Sequence, residues 1–307
     1  MTTKRCWQRV DGVILLDKPL GLSSNAALQS ARRLFSAAKA GHTGTLDPLA
    51  SGLLPLCFGE ATKFSADLLD ADKSYEAELL FGITTDTADA EGKILQQRPV
   101  EFTHEQLTRV LEQFKGLISQ IPPMYSALKR DGKPLYELAR QGIELERAAR
   151  SVSIHSLELI STAENRCRLR VRCSKGTYIR TLAQDIGEQL ACGAHLSALR
   201  RTAVGSLDVA QAISLEQLAA LTEHERQARL QAPDSLLQSL PALYLDSVDG
   251  KRFSQGNRIP GQLQAGRYRV YQQNESSKPH LLGLGSVQHD GELQPKRLVR
   301  TDATAEI

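Results

Sequence analysis

The most regular stretch of the sequence is Arg166-Cys167-Arg168-Leu169-Arg170-Val171-Arg172-Cys173, in which arginine alternates with smaller side chains. Successive side chains of a β-strand point to opposite faces of a sheet, so this pattern predicts a half-buried strand with four guanidinium groups on one face. Like charges on one face repel each other unless they are neutralised. Carboxylates of a neighbouring strand, with residues 156–159 as the candidate, could neutralise them, and so could a bound phosphate. The sequence leaves both interpretations open.

The segments on either side of this strand predict further strands and helices. Runs rich in strand-forming residues predict strands at 12–16 and 75–81. Apolar residues at helical spacing, several of them preceded by capping residues, predict helices after Ser23 and at 103–114, 135–140, 181–191 and 211–221. Residues 41–52 contain three glycines and a proline without a clear period, and are predicted to form a structured loop.

The last part of the chain differs in composition from the rest. Residues 231–241 carry two prolines and are predicted to be a linker. Beyond them, residues 250–300 are rich in glycine and short strand-like runs, which predicts a small β-barrel domain. The predicted division is a large α/β (α+β) domain over residues 1–240, with an insertion at about 129–150, followed by a β-domain over residues 245–307.

The composition of the 307 residues is that of an ordinary globular protein. Hydrophobic residues make up 41% and charged residues 24%, which supports a packed core and excludes a disordered chain. No run approaches the roughly 18 to 20 apolar residues of a membrane span. Residues 1–7 lack the apolar stretch of a signal peptide, so the cytoplasm is the predicted location. The five cysteines form no Cys-x-x-Cys pair and are odd in number, which favours reduced thiols.

Positive charge is concentrated in two segments of the chain. The net charge is only +3, yet residues 1–45 carry seven Lys/Arg against two Asp, and residues 166–201 carry eight Lys/Arg against two acids. The rest of the chain is therefore acidic. A localised basic surface is typical of proteins that bind a polyanion, although two solvated faces would give the same counts.

The common cofactor and metal motifs are missing from the sequence. It contains no Walker A motif, no Gly-x-Gly-x-x-Gly after a strand, no His-Glu-x-x-His, no Cys/His metal spacing and no Gly-x-Ser-x-Gly elbow. We therefore predict no nucleotide, metal or redox cofactor.

The loop and several other segments resemble one enzyme family. Residues 41–55, GHTGTLDPLASGLLP, closely resemble the catalytic loop of the TruB family, although Thr45 stands where the family often has Ala. Further similar segments follow the family order: 13–24 (VILLDKPLGLSS), 73–75 (KSY), 121–129 (IPPMYSALK), 173–187 (CSKGTYIRTLAQDIG), 193–196 (GAHL) and 199–201 (LRR). The resemblance covers essentially all of the first predicted domain. It is weaker from about residue 245, where the family carries a β-module of the PUA type.

The resemblance implies an activity and a catalytic set. Bacterial members of the family are tRNA pseudouridine-55 synthases, which isomerise a uridine of the T loop without a cofactor. The family's catalytic carboxylate maps onto Asp47, the arginine that pairs with it onto Arg180, and a tyrosine that packs on the target base onto Tyr75. Taken alone, an aspartate before a proline would be a turn residue. An aspartate is ionised at neutral pH, and the sequence does not choose between attack on C1′, attack on C6 and proton removal from the ribose.

The resemblance also implies a substrate-binding set. His42 would enter the RNA loop where the flipped nucleotide was, and Tyr178 and Leu199 would line the uracil pocket. Lys18 would border the site and support Tyr75.

The fold and partners follow from the same resemblance. It implies a mixed-sheet pseudouridine synthase domain, with residues 129–150 closing over the RNA, followed by a PUA-like domain. The implied partner is the T-arm stem-loop of tRNA, with no membrane and no obligate protein partner, and the chain is expected to be a monomer. Two alternatives stay open: a guide-RNA-dependent rRNA pseudouridylase that shares the catalytic loop, and an RNA-folding chaperone without catalysis.

Overall fold

A computed structural model describes residues 6–126, 128–130, 132–274 and 278–300. Parts of several predicted segments lie outside the described residues. They are residues 1–5 of the amino terminus, 127 of the segment 121–129, 131 of the insertion, and 275–277 and 301–307 of the β-domain.

A ten-stranded mixed sheet is the centre of the first part of the chain. The strands of this part are β1 (Gly12–Lys18), β2 (Ala40–His42), β3 (Ala50–Phe58), β4 (Lys73–Phe81), β5 (Ile83–Thr85), β6 (Ile94–Gln97), β7 (Gly116–Gln120), β8 (Lys129–Arg130), β9 (Lys133–Pro134), β10 (Arg150–Ala163), β11 (Arg166–Cys173), β12 (Ala194–Val204), β13 (Leu207–Asp208) and β14 (Ile213–Ser214). The order is β14-β1-β3-β12-β4-β11-β10-β7, with β2 paired to β3 and β13 to β12. The pairs β1–β14 and β3–β12 are parallel and the others in this sheet are antiparallel. Separate hairpins pair β5 with β6 and β8 with β9.

Helices cover parts of this sheet, which confirms the predicted mixed α/β class. They are α1 (Ser24–Leu34), α2 (Ser65–Leu69), α3 (His104–Gln113), α4 (Leu135–Arg140), α5 (Ile179–Gln189), α6 (Leu215–Ala220) and α7 (Glu223–Ala228). Capping side chains begin two of these helices where the sequence predicted. Ser23 caps α1, and Thr103 and Gln106 form a reciprocal capping box at the start of α3.

The alternating stretch forms β11 with the predicted bounds. Its apolar side chains and cysteines are buried, and its four arginines are exposed. The buried face packs against α3 and α5 in one apolar cluster, while α1 packs on β1 and β3 in a second cluster. Tyr75 on β4 and Leu199 on β12 contact both clusters. The junction of the two clusters is therefore the place where the predicted site residues can meet.

Three sequence predictions need correction. Residues 41–42 and 50–52 belong to β2 and β3, so only 43–49 form the loop; the two strands pair with each other, which a local pattern cannot show. The helix predicted at 211–221 begins at Leu215, because Ile213 pairs with β1 and Ser214 caps the helix. The predicted linker contains a 3-10 helix at Pro233–Leu237 whose two leucines are buried, so it packs as part of the fold.

The carboxy-terminal part is a four-stranded sheet with one helix. Its elements are β15 (Ala242–Leu245), α8 (Ser247–Ser254), β16 (Gly266–Gln272), β17 (His280–Val287) and β18 (Leu293–Leu298), and the strands lie in this order. The sequence did not predict α8. The sheet has its own apolar cluster around Phe253, yet Leu284 belongs to the same buried apolar cluster as Val13 and Leu53 of the large sheet. Lys63 also donates to the carbonyl of Leu298 at 2.7 Å. The two parts therefore share a packed boundary.

The cysteines are free thiols, as predicted. Cys57, Cys167, Cys173 and Cys192 are buried, and burial raises their thiol pKa values. Cys6 is exposed. Among the described residues, no group of His, Cys, Asp and Glu could hold a metal ion. No helix within the described ranges has both the length and the apolar character needed to cross a membrane.

Candidate active site

The loop at residues 43–49 is held in a fixed shape by its neighbours. The Ser24 hydroxyl, at the start of α1, accepts from the amide of Leu46 at 2.7 Å and donates to its carbonyl at 2.9 Å. The amide of Gly21 donates to the carbonyl of Pro48 at 2.9 Å, and the amide of Thr43 donates to Pro55 at 3.2 Å. Contacts on both sides of position 47 therefore fix the backbone from which the Asp47 side chain extends.

Asp47 and Arg180 lie together at the centre of the site. Arg180 stands in the first turn of α5, and its Nη2 lies 2.9 Å from Oδ2 of Asp47. The arginine side chain is only 7% exposed, whereas the aspartate side chain is 43% exposed. The carboxylate of this ion pair is therefore accessible, while the guanidinium that orients it is buried.

Arg180 is fixed by three further groups. Its Nη1 donates to the carbonyl of Thr87 at 3.1 Å, and its Nη2 donates to the carbonyl of Tyr125 at 2.6 Å. Nη1 also lies 3.5 Å from Oδ2 of Asp89, whose side chain is 5% exposed. Sequence analysis missed Asp89, because an acid within the polar residues 84–92 carries no periodic signal. Only the fold shows that it faces Arg180.

Opposing influences act on the Asp47 carboxyl. Desolvation by the surrounding protein raises the pKa of Asp47, the charge of Asp89 acts in the same direction, and Arg180 and Lys18 lower it. The net direction is upward. Among the surrounding groups, the Arg180 guanidinium is the one that most favours the anion.

Lys18 holds the turn that leads into α1. Its buried ammonium donates to the carbonyls of Pro19 at 2.9 Å and Leu22 at 2.6 Å, which holds the turn before α1. Burial lowers the pKa of Lys18 to about 8, and the nearby Asp47 opposes this shift. The support of Tyr75 that the resemblance implies for Lys18 stays a prediction.

The other predicted binding residues border the same region. Leu199, like Tyr75, packs against both apolar clusters. Tyr178 directly precedes α5, and its backbone is held by Gln120 at 3.0 and 3.3 Å. His42 ends β2 next to the loop. Burial lowers its pKa, which favours the neutral ring, and its buried Nδ1 has no hydrogen-bond partner among the described residues.

The four arginines of β11 are neutralised by carboxylates. Tyr75 pairs with Val171 across β4 and β11, whereas Glu76 pairs with Arg170, so the arginines lie on the face opposite Tyr75. Glu158, on β10, is only one of the partners. The ion pairs are Arg166–Glu78 at 2.7 Å, Arg168–Glu76 at 3.3 Å, Arg170–Glu76 at 3.6 Å, Arg170–Glu158 at 3.4 Å and Arg172–Asp72 at 3.2 Å. Of the two interpretations left open by the sequence, the structure favours neutralisation within the protein.

Alanine substitutions on this face should therefore leave RNA binding unchanged. For Arg168→Ala, Arg170→Ala and Arg172→Ala we expect the affinity for tRNA and its salt dependence to stay as in the unsubstituted protein. The free energy of unfolding should fall by no more than about 1 kcal/mol each, because more than half of every side chain is exposed. Filter binding across a salt series measures this. A slope of log K against log salt that falls by about one unit would instead indicate a phosphate contact.

Comparisons with known proteins agree over nearly the whole chain. Residues 32–179 match a family described as "TruB family pseudouridylate synthase (N terminal domain)", 180–244 match "tRNA pseudouridylate synthase B C-terminal domain" and 241–299 match "Pseudouridine synthase II TruB, C-terminal". The "tRNA pseudouridine synthase B" of Dechloromonas aromatica is 57% identical over 302 residues, which cover 98% of this chain and 99% of that protein. The protein of the same name from Ralstonia nicotianae is 57% identical over 297 residues, 94% of each chain. A solved structure described as "Crystal Structure of a Cbf5-Nop10-Gar1 Complex" superposes with a TM-score of 0.70 at 26% identity, covering 90% of this chain and 78% of that one.

Proposed function

The chain belongs to the TruB family of pseudouridylate synthases, and from this premise we propose that it converts uridine 55 in the T loop of tRNA to pseudouridine. Relatives at 57% identity over nearly the full length carry the name tRNA pseudouridine synthase B. The structural observation that supports the proposal best is the Asp47–Arg180 ion pair at 2.9 Å, whose carboxylate stays accessible.

The reaction is an isomerisation of the nucleotide itself. The N1–C1′ bond breaks, the uracil rotates and C5 joins C1′; C5 loses a proton and N1 gains one, so substrate and product contain the same atoms. The Asp47 carboxylate can attack C1′, attack C6 or remove a ribose proton. Each route requires the anion when the nucleotide is bound, and the adjacent Arg180 favours that form.

The neighbouring side chains would bind and orient the uracil. Tyr75 packs on the base, and Tyr178 and Leu199 line its pocket. Lys18 keeps the border of the site in place through the turn that it holds. Supporting this assignment, Tyr75 and Leu199 are partly buried at the junction of the two apolar clusters, where α5 also brings Arg180 to Asp47.

A uridine inside a folded RNA loop must leave its stack to reach this carboxylate. Extruding a nucleotide costs a few kcal/mol, which contacts in the pocket and a side chain that fills the gap can offset. We assign the filling role to His42. Burial favours the neutral ring, which carries no charge to desolvate. Its buried Nδ1 has no hydrogen-bond partner among the described residues, so it can pair with an RNA group once the side chain enters the loop.

The remaining parts of the chain would extend the RNA contact. We divide the chain into a catalytic domain over residues 1–240, whose insertion at about 129–150 closes over the T arm, and a PUA-like RNA-binding domain over residues 245–307. The separate apolar cluster around Phe253 supports this division. We further propose that the protein acts as a monomer in the cytoplasm and needs no protein partner.

One assay separates this function from its two rivals. Purified protein is incubated alone with an unmodified tRNA transcript, and pseudouridine is located by mass spectrometry. Pseudouridine at position 55 supports the proposal. A requirement for added guide RNA and proteins would indicate the guide-dependent class, and faster tRNA folding without pseudouridine would indicate a chaperone.

The pH dependence of the chemical step should follow the ionisation of the Asp47 carboxyl group. Only the anion reacts, so the single-turnover rate should be constant above the pKa of Asp47 and fall about tenfold per pH unit below it. Because desolvation raises this pKa, the decline should begin at a higher pH than the ordinary aspartate value of 3.8. Rates measured with saturating tRNA between pH 4 and pH 8 (roughly the range in which both molecules stay folded) would test this. A rate that stays flat from pH 8 down to about pH 4 would contradict it.

The enzyme should also act on an isolated T-arm stem-loop. The proposed catalytic residues and the insertion all lie in residues 1–240, and residues 246–307 carry nine Lys/Arg against seven acids, so that part should add phosphate contacts only. Removing the residues after 245 should therefore raise KM more than it lowers kcat. Kinetics of both proteins on the hairpin and on whole tRNA measure this.

The packing of Leu284 sets the control for that experiment. Truncation exposes the apolar surface that Leu284 covers, so the truncated protein must first show the circular dichroism and cooperative unfolding of a folded chain. A truncated protein that passes this control yet loses kcat by orders of magnitude on the hairpin would show that the carboxy-terminal part helps to build the active site.

A further inference from the structure

Leu20 is an exposed apolar residue beside the loop that carries Asp47. It is 65% exposed, and among the described residues it belongs neither to the four buried apolar clusters nor to the side chains packed against them. A single exposed leucine is common on protein surfaces and needs no explanation by itself. What distinguishes Leu20 is its place in the fold, because the turn that carries it is joined to the active-site loop.

A backbone contact joins this turn to the loop. The amide of Gly21 donates to the carbonyl of Pro48 at 2.9 Å, and Pro48 directly follows Asp47 in the chain. Leu20 is therefore one residue away from a contact whose other partner is one residue away from the accessible carboxylate. An RNA strand that places one nucleotide at Asp47 must bring the neighbouring nucleotides to the surface around it, and Leu20 is part of that surface.

The turn has a fixed shape. The buried ammonium of Lys18 donates to the carbonyls of Pro19 at 2.9 Å and Leu22 at 2.6 Å, which lie on either side of Leu20 in the chain. Gly21 has a φ of +79°, a conformation that favours glycine. The leucine thus has a defined position before any ligand binds, so little conformational entropy is lost when a ligand packs on it.

A leucine side chain can contact only certain parts of an RNA molecule. It has no donor, acceptor or charge, so it cannot bind a phosphate, and its favourable contacts are with the faces of bases and the carbon atoms of ribose. In proteins that distort nucleic acids, leucine is one of the side chains that insert at a base step and keep it unstacked. A uridine that leaves its stack exposes the faces of adjacent bases, which an apolar side chain can cover.

We propose that Leu20 is a substrate-binding residue that packs on a nucleotide next to the extruded uridine and stabilises the unstacked T loop. The inference rests on the proposed function, because it takes the T loop as the RNA that meets this surface. In the role proposed for it, His42 fills the position that the uridine leaves, and Leu20 covers a base that this movement exposes. The two residues approach the RNA from different elements, His42 from the end of β2 and Leu20 from the turn between β1 and α1.

Fluorescence of an RNA stem-loop tests the inference without turnover. The T loop carries 2-aminopurine in place of a nucleotide next to the target uridine, and this base becomes brighter when it leaves its stack. Asp47→Asn protein is used so that the RNA stays unmodified, and stopped-flow mixing gives the rates of unstacking and restacking. In this background Leu20→Ala should lower the ratio of the two rates roughly tenfold, because one apolar contact is lost. The association rate and its salt dependence should not change, because they arise from phosphates.

Two matched variants control for side effects. Leu20→Met keeps an apolar side chain of similar size and should keep most of the unstacking ratio. Leu117→Ala removes a leucine that is 76% exposed on β7, at the far end of the sheet from β14 and β1, and should leave the ratio unchanged. Because neither leucine belongs to the core, all three variants should unfold at the urea concentration of the parent protein.

The outcomes separate this inference from the proposed function. An unchanged unstacking ratio in a folded Leu20→Ala variant would overturn the inference even if the enzyme forms pseudouridine normally. A ratio that depends on Leu20, in a protein that forms no pseudouridine when Asp47 is intact, would refute the proposed function and support the inference. If the fluorescence does not rise with any variant, Leu20 has no unstacked loop to stabilise and the inference fails, whereas pseudouridine formation still decides the proposed function.

Discussion

Replacing Asp47 by asparagine should abolish pseudouridine formation while the affinity for tRNA stays within about tenfold of the unsubstituted enzyme. Asparagine keeps the size of the side chain and removes the anion that every route to the product requires. Arg180 would keep its bonds to the carbonyls of Thr87 and Tyr125 and its ion pair with Asp89, so the site should stay folded. Affinity should persist because contacts to phosphates dominate RNA binding.

Single-turnover assays with mass-spectrometric detection measure this prediction. We expect the rate to fall on the order of 10⁴-fold or more, the size of loss seen when one member of a catalytic set is removed. Asp17→Asn is the matched control, since it also removes a carboxylate from an Asp–Arg pair, with Arg200 at 2.8 Å. Its activity should be normal. Turnover by an Asn variant shown to be free of deamidation would refute the assignment of Asp47.

Local sequence patterns predicted those strands and helices whose bounds are determined by their own residues. The alternation at 166–173 gave the bounds and buried face of β11, because side-chain period alone determines both. Thr103 and Gln106 marked the start of α3, because a capping box is complete within four residues. The elements that were missed depend on partners far along the chain. Residues 50–52 form a strand because they pair with β1 and β12. Ile213 lies outside the helix that was predicted to include it, because it pairs with Leu16.

The same distinction holds at the site. The resemblance named Asp47 and Arg180, and the fold brings them within 2.9 Å. Nothing in the sequence indicated Asp89, because its importance lies in a contact across 91 positions, to Arg180. A buried charge can be interpreted only together with the group that compensates it, and that group is known only from the fold.

Arg180 should contribute to the stability of the protein as well as to catalysis. Its side chain lies between the accessible Asp47 and the buried Asp89 and satisfies two backbone carbonyls. Arg180→Met keeps much of the volume but leaves the Asp89 carboxylate buried without its cation. Removing one partner of a buried ion pair costs about 3–5 kcal/mol of unfolding free energy. The pKa of Asp47 should also rise further, because the main group that lowers it is gone, so residual activity should decline from a higher pH.

A stability cycle distinguishes this mechanism from a simple packing defect. Unfolding in urea at neutral pH is measured for the unsubstituted protein, Arg180→Met, Asp89→Asn and the double variant. If the cost of Arg180→Met arises from an uncompensated charge, Asp89→Asn should restore part of the lost stability, because removing both partners is less costly than removing one. The restoration should appear in stability and not in turnover, since Asp47 still lacks its guanidinium. If the losses of unfolding free energy simply add in the double variant, Asp89 and Arg180 stabilise the fold independently. The ion pair at 3.5 Å would then contribute nothing to stability.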